Sequence, residues 1–225
     1  MKPYFETKLG KLYNCDCLDF MKEMEDKSVD LVLTDPPYGM NYQSHGRKQQ
    51  FEKIENDNVL FTNWITNRIS TRYVVFCRWD LMNVWKEALV SVKLDVNGCI
   101  VWNKAGGGMG DLKRAYALDY ELILYSSPQE WRIPGKRYGS VWKCLCDASS
   151  LYRHPTQKPV GIVSMCIERF SSGNELILDP FLGSGTTAVA CEKLKRKWIG
   201  IEISEKYCEI SAKRIANESN QTKLF

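Results

Sequence analysis

Short apolar runs alternate with amphipathic stretches along most of the chain, the pattern of a sheet with helices packed on its faces. The apolar runs predict strands at Lys11–Asn14, Val29–Thr34, Tyr73–Cys77, Cys99–Trp102, Glu121–Tyr125, Leu176–Leu178 and Trp198–Ile201. Helical spacing between them predicts helices at Leu18–Met24, Leu60–Ile69, Asp80–Val92, Val160–Phe170, Thr186–Leu194 and Ser204–Asn217. Three stretches rich in glycine, polar or basic residues break the alternation, at Gly39–Asn58, Ala105–Ala117 and Ser126–Arg153. Loops this long in a compact domain usually carry function or move. The expected fold is therefore α/β, a doubly wound and mostly parallel sheet. No repeat, low-complexity tract or linker divides the chain, so residues 1–225 are expected to form one domain.

Composition narrows the picture a little. A chain of 225 residues, 44% hydrophobic, can bury a core without a second domain. The formal charge of +4 suits a polyanionic partner and equally many ordinary enzymes, so charge alone decides nothing. Nine cysteines would suggest disulfides in a small secreted protein, but the number is odd and the N-terminus has no apolar signal segment. Reduced thiols and a cytoplasmic protein are the expectation. Cys15/Cys17 and Cys144/Cys146 are spaced C-x-C and only His45 and His154 could complete a site, so no metal is expected. No apolar run has the length of a membrane span.

The candidate chemistry lies in two places. Near the C-terminus, ELILDPFLGSGTT at Glu175–Thr187 reads as an apolar strand, a glycine turn and a helix start. Gly183 and Gly185 would let a ligand lie against bare backbone, and with Ala188 they satisfy the loose dinucleotide pattern G-x-G-x-x-A. A lone match of that kind is weak, and an NAD-dependent enzyme stays open as the alternative. Asp179 at the strand end would repel a pyrophosphate and attract an ammonium group. Glu202, ending WIGIE, suits a ribose diol in either case.

The sharper feature is TDPPYG, Thr34–Gly39, directly after the strand VDLVLT and so at the carboxyl edge of a sheet, where ligands bind. Pro36 and Pro37 fix their own φ angles and remove two N–H groups, leaving a stiff turn lined by carbonyls. An exocyclic amino group on a base is a poor nucleophile because its lone pair is delocalised into the ring. The Asp35 carboxylate and the Pro36 carbonyl would each accept one N–H, turning the lone pair toward an electrophile and stabilising the developing charge. Tyr38 offers a face on which a base can stack.

DPPY at Asp35–Tyr38, HPTQKP at His154–Pro159 and DPFLGSGT at Asp179–Thr186, in that order, make the chain resemble the β-group DNA amino-methyltransferases. The resemblance implies a circularly permuted, Rossmann-like methyltransferase fold that uses S-adenosylmethionine to methylate adenine N6 or cytosine N4 in double-stranded DNA, often within restriction-modification. Asp35 as the first motif residue favours adenine. The implied cofactor residues are Asp16, Thr156, Lys158, Asp179, Phe181, Gly183, Gly185, Thr186 and Glu202, with Lys158 and Thr156 near the methionine end. A homodimer is a further expectation of the resemblance.

A base inside a duplex cannot reach such a turn, so flipping and a backbone-gripping surface are required. Interleaved basic and aromatic residues point to Arg47 and Lys48, with Tyr42, His45 and Lys53, after the catalytic turn. WRIPGKRYGSVWK adds Arg132, Lys136, Arg137 and Lys143. Residues 126–153 are accordingly the candidate target-recognition segment.

Overall fold

The computed structural model describes residues 1–39, 62–106, 116–146 and 157–221. Its strands are β1 (Phe5–Glu6), β2 (Gly10–Asn14), β3 (Leu31–Thr34), β4 (Tyr73–Cys77), β5 (Val96–Asn103), β6 (Tyr120–Ser126), β7 (Val141–Lys143), β8 (Leu176–Asp179) and β9 (Lys197–Glu202). Among the described residues they form a nine-stranded sheet in the order β1-β2-β9-β8-β3-β4-β6-β5-β7. The central run from β2 to β4 is parallel, and β6 enters antiparallel between β4 and β5.

Helices α1 (Cys17–Lys22), α2 (Met82–Ser91), α3 (Val160–Phe170), α4 (Thr186–Leu194) and α5 (Glu205–Gln221) cover the sheet. The period of two along each strand divides the core. Leu31, Leu33, Val74, Phe76 and Ile177 pack with Ile162, Cys166, Ala188 and Ile215 of α3, α4 and α5 on one face. Val32, Val75, Cys77, Leu122 and Leu178 pack with Met21, Trp64, Trp85 and Leu89 on the other. Both faces of β3 and β4 are therefore dry, which is why these strands read as continuous apolar runs.

The C-terminal strands β8 and β9 lie between β2 and β3, as a permuted chain requires. From β8 the chain crosses through α4 to β9, whereas from β3 it passes along the opposite face, by Trp64 and Ile69, to β4. The crossovers diverge between β8 and β3, and a crevice opens at the carboxyl ends of strands at such a switch point.

The predicted helix at Leu60–Ile69 does not form over its described part, where 62–70 is a succession of turns. Thr66 Oγ1 accepts the Arg68 N–H at 3.2 Å, the local side-chain bonding that competes with a helical ladder. The apolar positions in this stretch, Trp64, Ile65 and Ile69, are buried nonetheless, so their spacing reflects packing and no helical period. Among the described residues no helix is long and apolar enough to cross a membrane.

Candidate active site

β3 ends at Thr34 and β8 at Asp179, on neighbouring parallel strands, and the Thr34 hydroxyl donates to Asp179 Oδ1 at 2.7 Å. Asp179 also accepts the Thr187 hydroxyl at 2.6 Å and the Phe181 N–H at 3.1 Å. It is 4% exposed. Burial pushes its carboxyl up to about 6, against the pull of these three donors and with the nearby Asp35 charge adding to the rise. The glycine turn that follows is built from both sides. Gly183 and Gly185 adopt left-handed φ of 56° and 88°. Glu202 accepts the Gly183 N–H at 2.8 Å and the Ser204 N–H at 2.9 Å, and Ser211 donates to the Gly183 carbonyl at 2.7 Å. A Cβ on Gly185 would meet Ser211 of α5 at 3.0–3.2 Å, so this glycine serves the packing of turn on helix. Arg214 holds Ser184 and reaches the Thr186 hydroxyl at 3.3 Å.

Asp35 stands next along the same edge, within a cluster of two carboxylates, two ammonium groups and a phenol in which Glu121 and Lys158 are buried and the others half-buried. Lys158 Nζ lies 2.5 Å from Asp35 Oδ2 and 2.9 Å from Glu121 Oε1. Tyr38 Oη lies 2.6 Å from Asp35 Oδ1 and 2.8 Å from the same Glu121 oxygen. Lys104 Nζ pairs with Glu121 Oε2 at 3.0 Å. Burial pushes the Asp35 carboxyl up; Lys158 opposes this and the Glu121 charge adds to it. Burial also weighs against the Glu121 charge, but Lys158 and Lys104 together hold that carboxyl below its ordinary range. Lys158 is raised, since its two carboxylates outweigh its burial. Tyr38 is raised by burial and by both acids. Beside Lys158, Gln157 accepts the Ser184 hydroxyl at 3.1 Å, so consecutive residues tie the glycine turn to the catalytic turn.

The arrangement is two half-sites at one switch point: a rigid acceptor-rich turn and a glycine turn flanked by acids. A family model described as DNA methylase, of the N6/N4 methyltransferases, matches residues 29–213. The chain belongs to that family. Among relatives of this N6/N4 DNA methylase, the type II methyltransferase M2.MboI of Moraxella bovis is 27% identical, the match covering 95% of this chain and 91% of that one. M.BamHI of Bacillus amyloliquefaciens is 28% identical over 100% of this chain and 61% of its own. By fold the chain is similar to M1.HpyAVI, solved in complex with SAM, with a TM-score of 0.71 and 24% identity over 92% of this chain and 100% of that one. It is also similar to the cytosine-N4-specific PvuII DNA methyltransferase, at 0.73 and 18% over 98% and 94%.

In this methylase Asp35, Pro36, Pro37, Tyr38, Lys158, Asp179, Phe181, Gly183, Gly185, Thr186 and Glu202 gather along the carboxyl edge of β3, β8 and β9. Asp16 follows β2 on that edge, where its carboxylate accepts the Leu18 N–H at 2.7 Å and caps α1. Lys158, expected at the cofactor's methionine end, pairs with Asp35. Thr156, Arg47 and Lys48, with Tyr42, His45, Lys53 and His154, lie outside the described residues.

The basic segment is not gathered with the site. β6 runs antiparallel to β4, so the chain leaves it at Ser126 opposite Tyr73, on the amino edge. There Trp131 lies under the Arg72 guanidinium at 3.9 Å, and Arg169 donates to the Pro134 carbonyl and covers the Tyr138 ring. Arg132, Lys136 and Arg137 are therefore exposed on the edge opposite Asp35. The physical reason is strand direction: the hairpin partner of an outgoing strand returns the chain to the far side. β7, parallel to β5, brings it back, and Lys143 ends on the site's edge beside Asn103.

Sequence reading missed Glu121 and Lys104. The available signal was an acid inside the otherwise apolar strand YELILYS, since a charge buried in a strand needs a partner.

Proposed function

We propose that the protein transfers the methyl group of S-adenosylmethionine to the N6 amino group of adenine in double-stranded DNA. The observation that carries this is the placement of Asp35 and Asp179 at the ends of neighbouring strands, one beside the acceptor-rich turn and one beside the glycine turn. The residues present fit the donor. Asp16, Glu202, Asp179 and Asp35 stand at or just past the ends of four consecutive strands, β2, β9, β8 and β3, an acidic edge suited to a ligand that carries an ammonium and a sulfonium and no phosphate. S-adenosylmethionine supplies, when bound, a methyl group on a positively charged sulfur.

The chain's own groups do the rest. Glu202 and Asp16 address the ribose diol and the adenine of the cofactor, and Asp179 its ammonium. The flipped base stacks on Tyr38. Its amino group donates one N–H to Asp35 and one to the Pro36 carbonyl, which directs the lone pair at the methyl carbon. The new N–C bond forms as the S–C bond breaks with its electron pair left on sulfur, and the surplus proton then leaves the nitrogen. Asp as the first residue of the turn supports adenine over cytosine. The test is to incubate the protein with unmethylated duplex DNA and methyl-labelled S-adenosylmethionine and to identify labelled nucleosides by mass spectrometry. N6-methyladenine is the expected product; N4-methylcytosine alone would refute the choice of base, and no labelled nucleoside would refute the acceptor.

A further inference from the structure

The catalytic turn holds a proton-counting problem. Tyr38 Oη is within hydrogen-bond distance of two carboxylate oxygens, Asp35 Oδ1 at 2.6 Å and Glu121 Oε1 at 2.8 Å, yet a phenol has one proton to give. Both contacts are satisfied only if a carboxyl group supplies the other proton. Lys158 bridges the same two acids, and its side chain is 9% exposed, so it needs a counter-charge at every stage. Glu121 comes from β6, two strands from β3 in the sheet, and reaches the catalytic turn through Tyr38. Lys104 anchors its other oxygen.

We propose that Glu121 is a positioning residue for methyl transfer: it keeps Lys158 and Tyr38 paired while Asp35 changes partner and protonation. The proposal rests on the methyltransferase reading of the site. When the target amine comes to donate to Asp35 Oδ1, the Asp35 carboxyl releases its resting proton to solvent, and the Tyr38 hydroxyl leaves that oxygen and stays on Glu121. After transfer the surplus N–H bond breaks and an O–H bond forms on Asp35, which leaves the base neutral and restores the resting carboxyl as the product departs. Throughout, Lys158 retains the Glu121 carboxylate as counter-ion. Glu121 also sets the proton affinity of Asp35. Asp35 faces Lys158 and Tyr38 directly and feels the charge of Glu121, while its own charge is felt at Asp179 and Cys77; Glu121 faces Lys158, Lys104 and Tyr38.

Removing the negative charge of Glu121 should make Asp35 easier to ionise, and removing Lys104 should make it harder, because the cluster then carries more net negative charge. The experiment is a ¹³C-carboxyl NMR titration of Asp35 in the cofactor-free protein, wild type against Glu121→Gln and Lys104→Gln, with the pH profile of kcat on duplex DNA measured in parallel. The expected result is a shift of Asp35 by roughly one pH unit downward in Glu121→Gln and upward in Lys104→Gln. The acid limb of kcat should move the same way, and in Glu121→Gln kcat should fall about tenfold or more with an unchanged KM for the cofactor. Asp35 titrating alike in all three proteins overturns the proposal, as does a lower kcat with an unmoved acid limb, the mark of a merely structural role. If Glu121→Gln does not fold, Lys104→Gln decides through its upward shift or its absence. Opposite NMR shifts in the two variants, together with a wild type that transfers no methyl group, would uphold the coupling and refute the methyltransferase reading.

Discussion

Two aspartates at the switch point divide the work, and their surroundings separate them. Asp35, about a fifth exposed, faces the acceptor side and carries its ion pair with Lys158. Replacing it with alanine should lower kcat by roughly 10²–10³-fold, since an acceptor aimed at developing charge is lost, while calorimetry should still show cofactor binding. Loss of binding instead would place Asp35 in the cofactor site. Asp179 is buried and its carboxyl rises from the ordinary 3.8 to about 6. Between about pH 4 and 6 the folded chain therefore holds a proton that the unfolded chain has released, so this group's contribution to stability falls as pH rises through that window. The change amounts to roughly 3 kcal/mol. In Asp179→Asn that pH dependence should vanish, and the stability gap between the two proteins in urea unfolding should change by a similar amount between pH 4 and pH 7.5. Cofactor affinity is tied to the same proton. If the carboxylate holds the ammonium, wild-type affinity weakens below pH 6 and the weaker affinity of Asp179→Asn stays flat; equal pH dependence in both would leave Asp179 as the residue that holds the turn alone.

At the scale of elements, the glycine turn shows how little slack the site has. Gly185 precedes α4 with φ 88° and ψ 17°, and α4 begins with no side-chain cap. Gly185→Ala would place a methyl group in a left-handed conformation, at roughly 1–2 kcal/mol, and against Ser211 besides. A loss of about 2–3 kcal/mol in chemical denaturation is expected. Trimming the neighbour as Ser211→Ala should not restore it, because the Ser211 Cβ and Cα remain at 3.1 and 3.2 Å. Full rescue would mean that the side-chain clash, and not the backbone, was limiting. The same turn was legible in the sequence because glycines, acids and motif order lie within one short stretch. So were the central strands β3, β4 and β8, whose burial on both faces leaves apolar runs, and β2 and β9, shorter apolar stretches beside the exposed Lys11 and Lys197. β1 and β7 were not legible: they are two and three residues long, lie on the sheet's edges, and exist by pairing rather than by pattern. Glu121 was hidden for a related reason, since 83 positions separate it from Tyr38 and only the register of β4 with β6 brings them together.

On the scale of the whole molecule, the question is which face meets DNA. Charge clustering in the sequence selected Arg132, Lys136 and Arg137, but the direction of β6 places them on the amino edge, away from Asp35. Under the proposed function, a duplex whose base enters the crevice would lie across the carboxyl edge. Exposed there are Lys143 at the end of β7 and Trp79, 57% exposed in the short 3₁₀ turn Trp79–Leu81 that follows β4. Each phosphate neutralised contributes about one to the slope of log affinity against log salt. Lys143→Gln should therefore weaken duplex binding at all sequences and lower that slope by about one. Trp79→Ala should weaken binding by roughly 1–3 kcal/mol through lost base stacking, with the slope unchanged. Neutralising Arg132, Lys136 and Arg137 together should alter neither by more than a small fraction of these effects. Fluorescence anisotropy over a salt series measures all three variants. A slope that falls by two or three in the triple variant would mean that the duplex wraps to the amino edge, and that the segment at 126–153 reads DNA from the side opposite the chemistry.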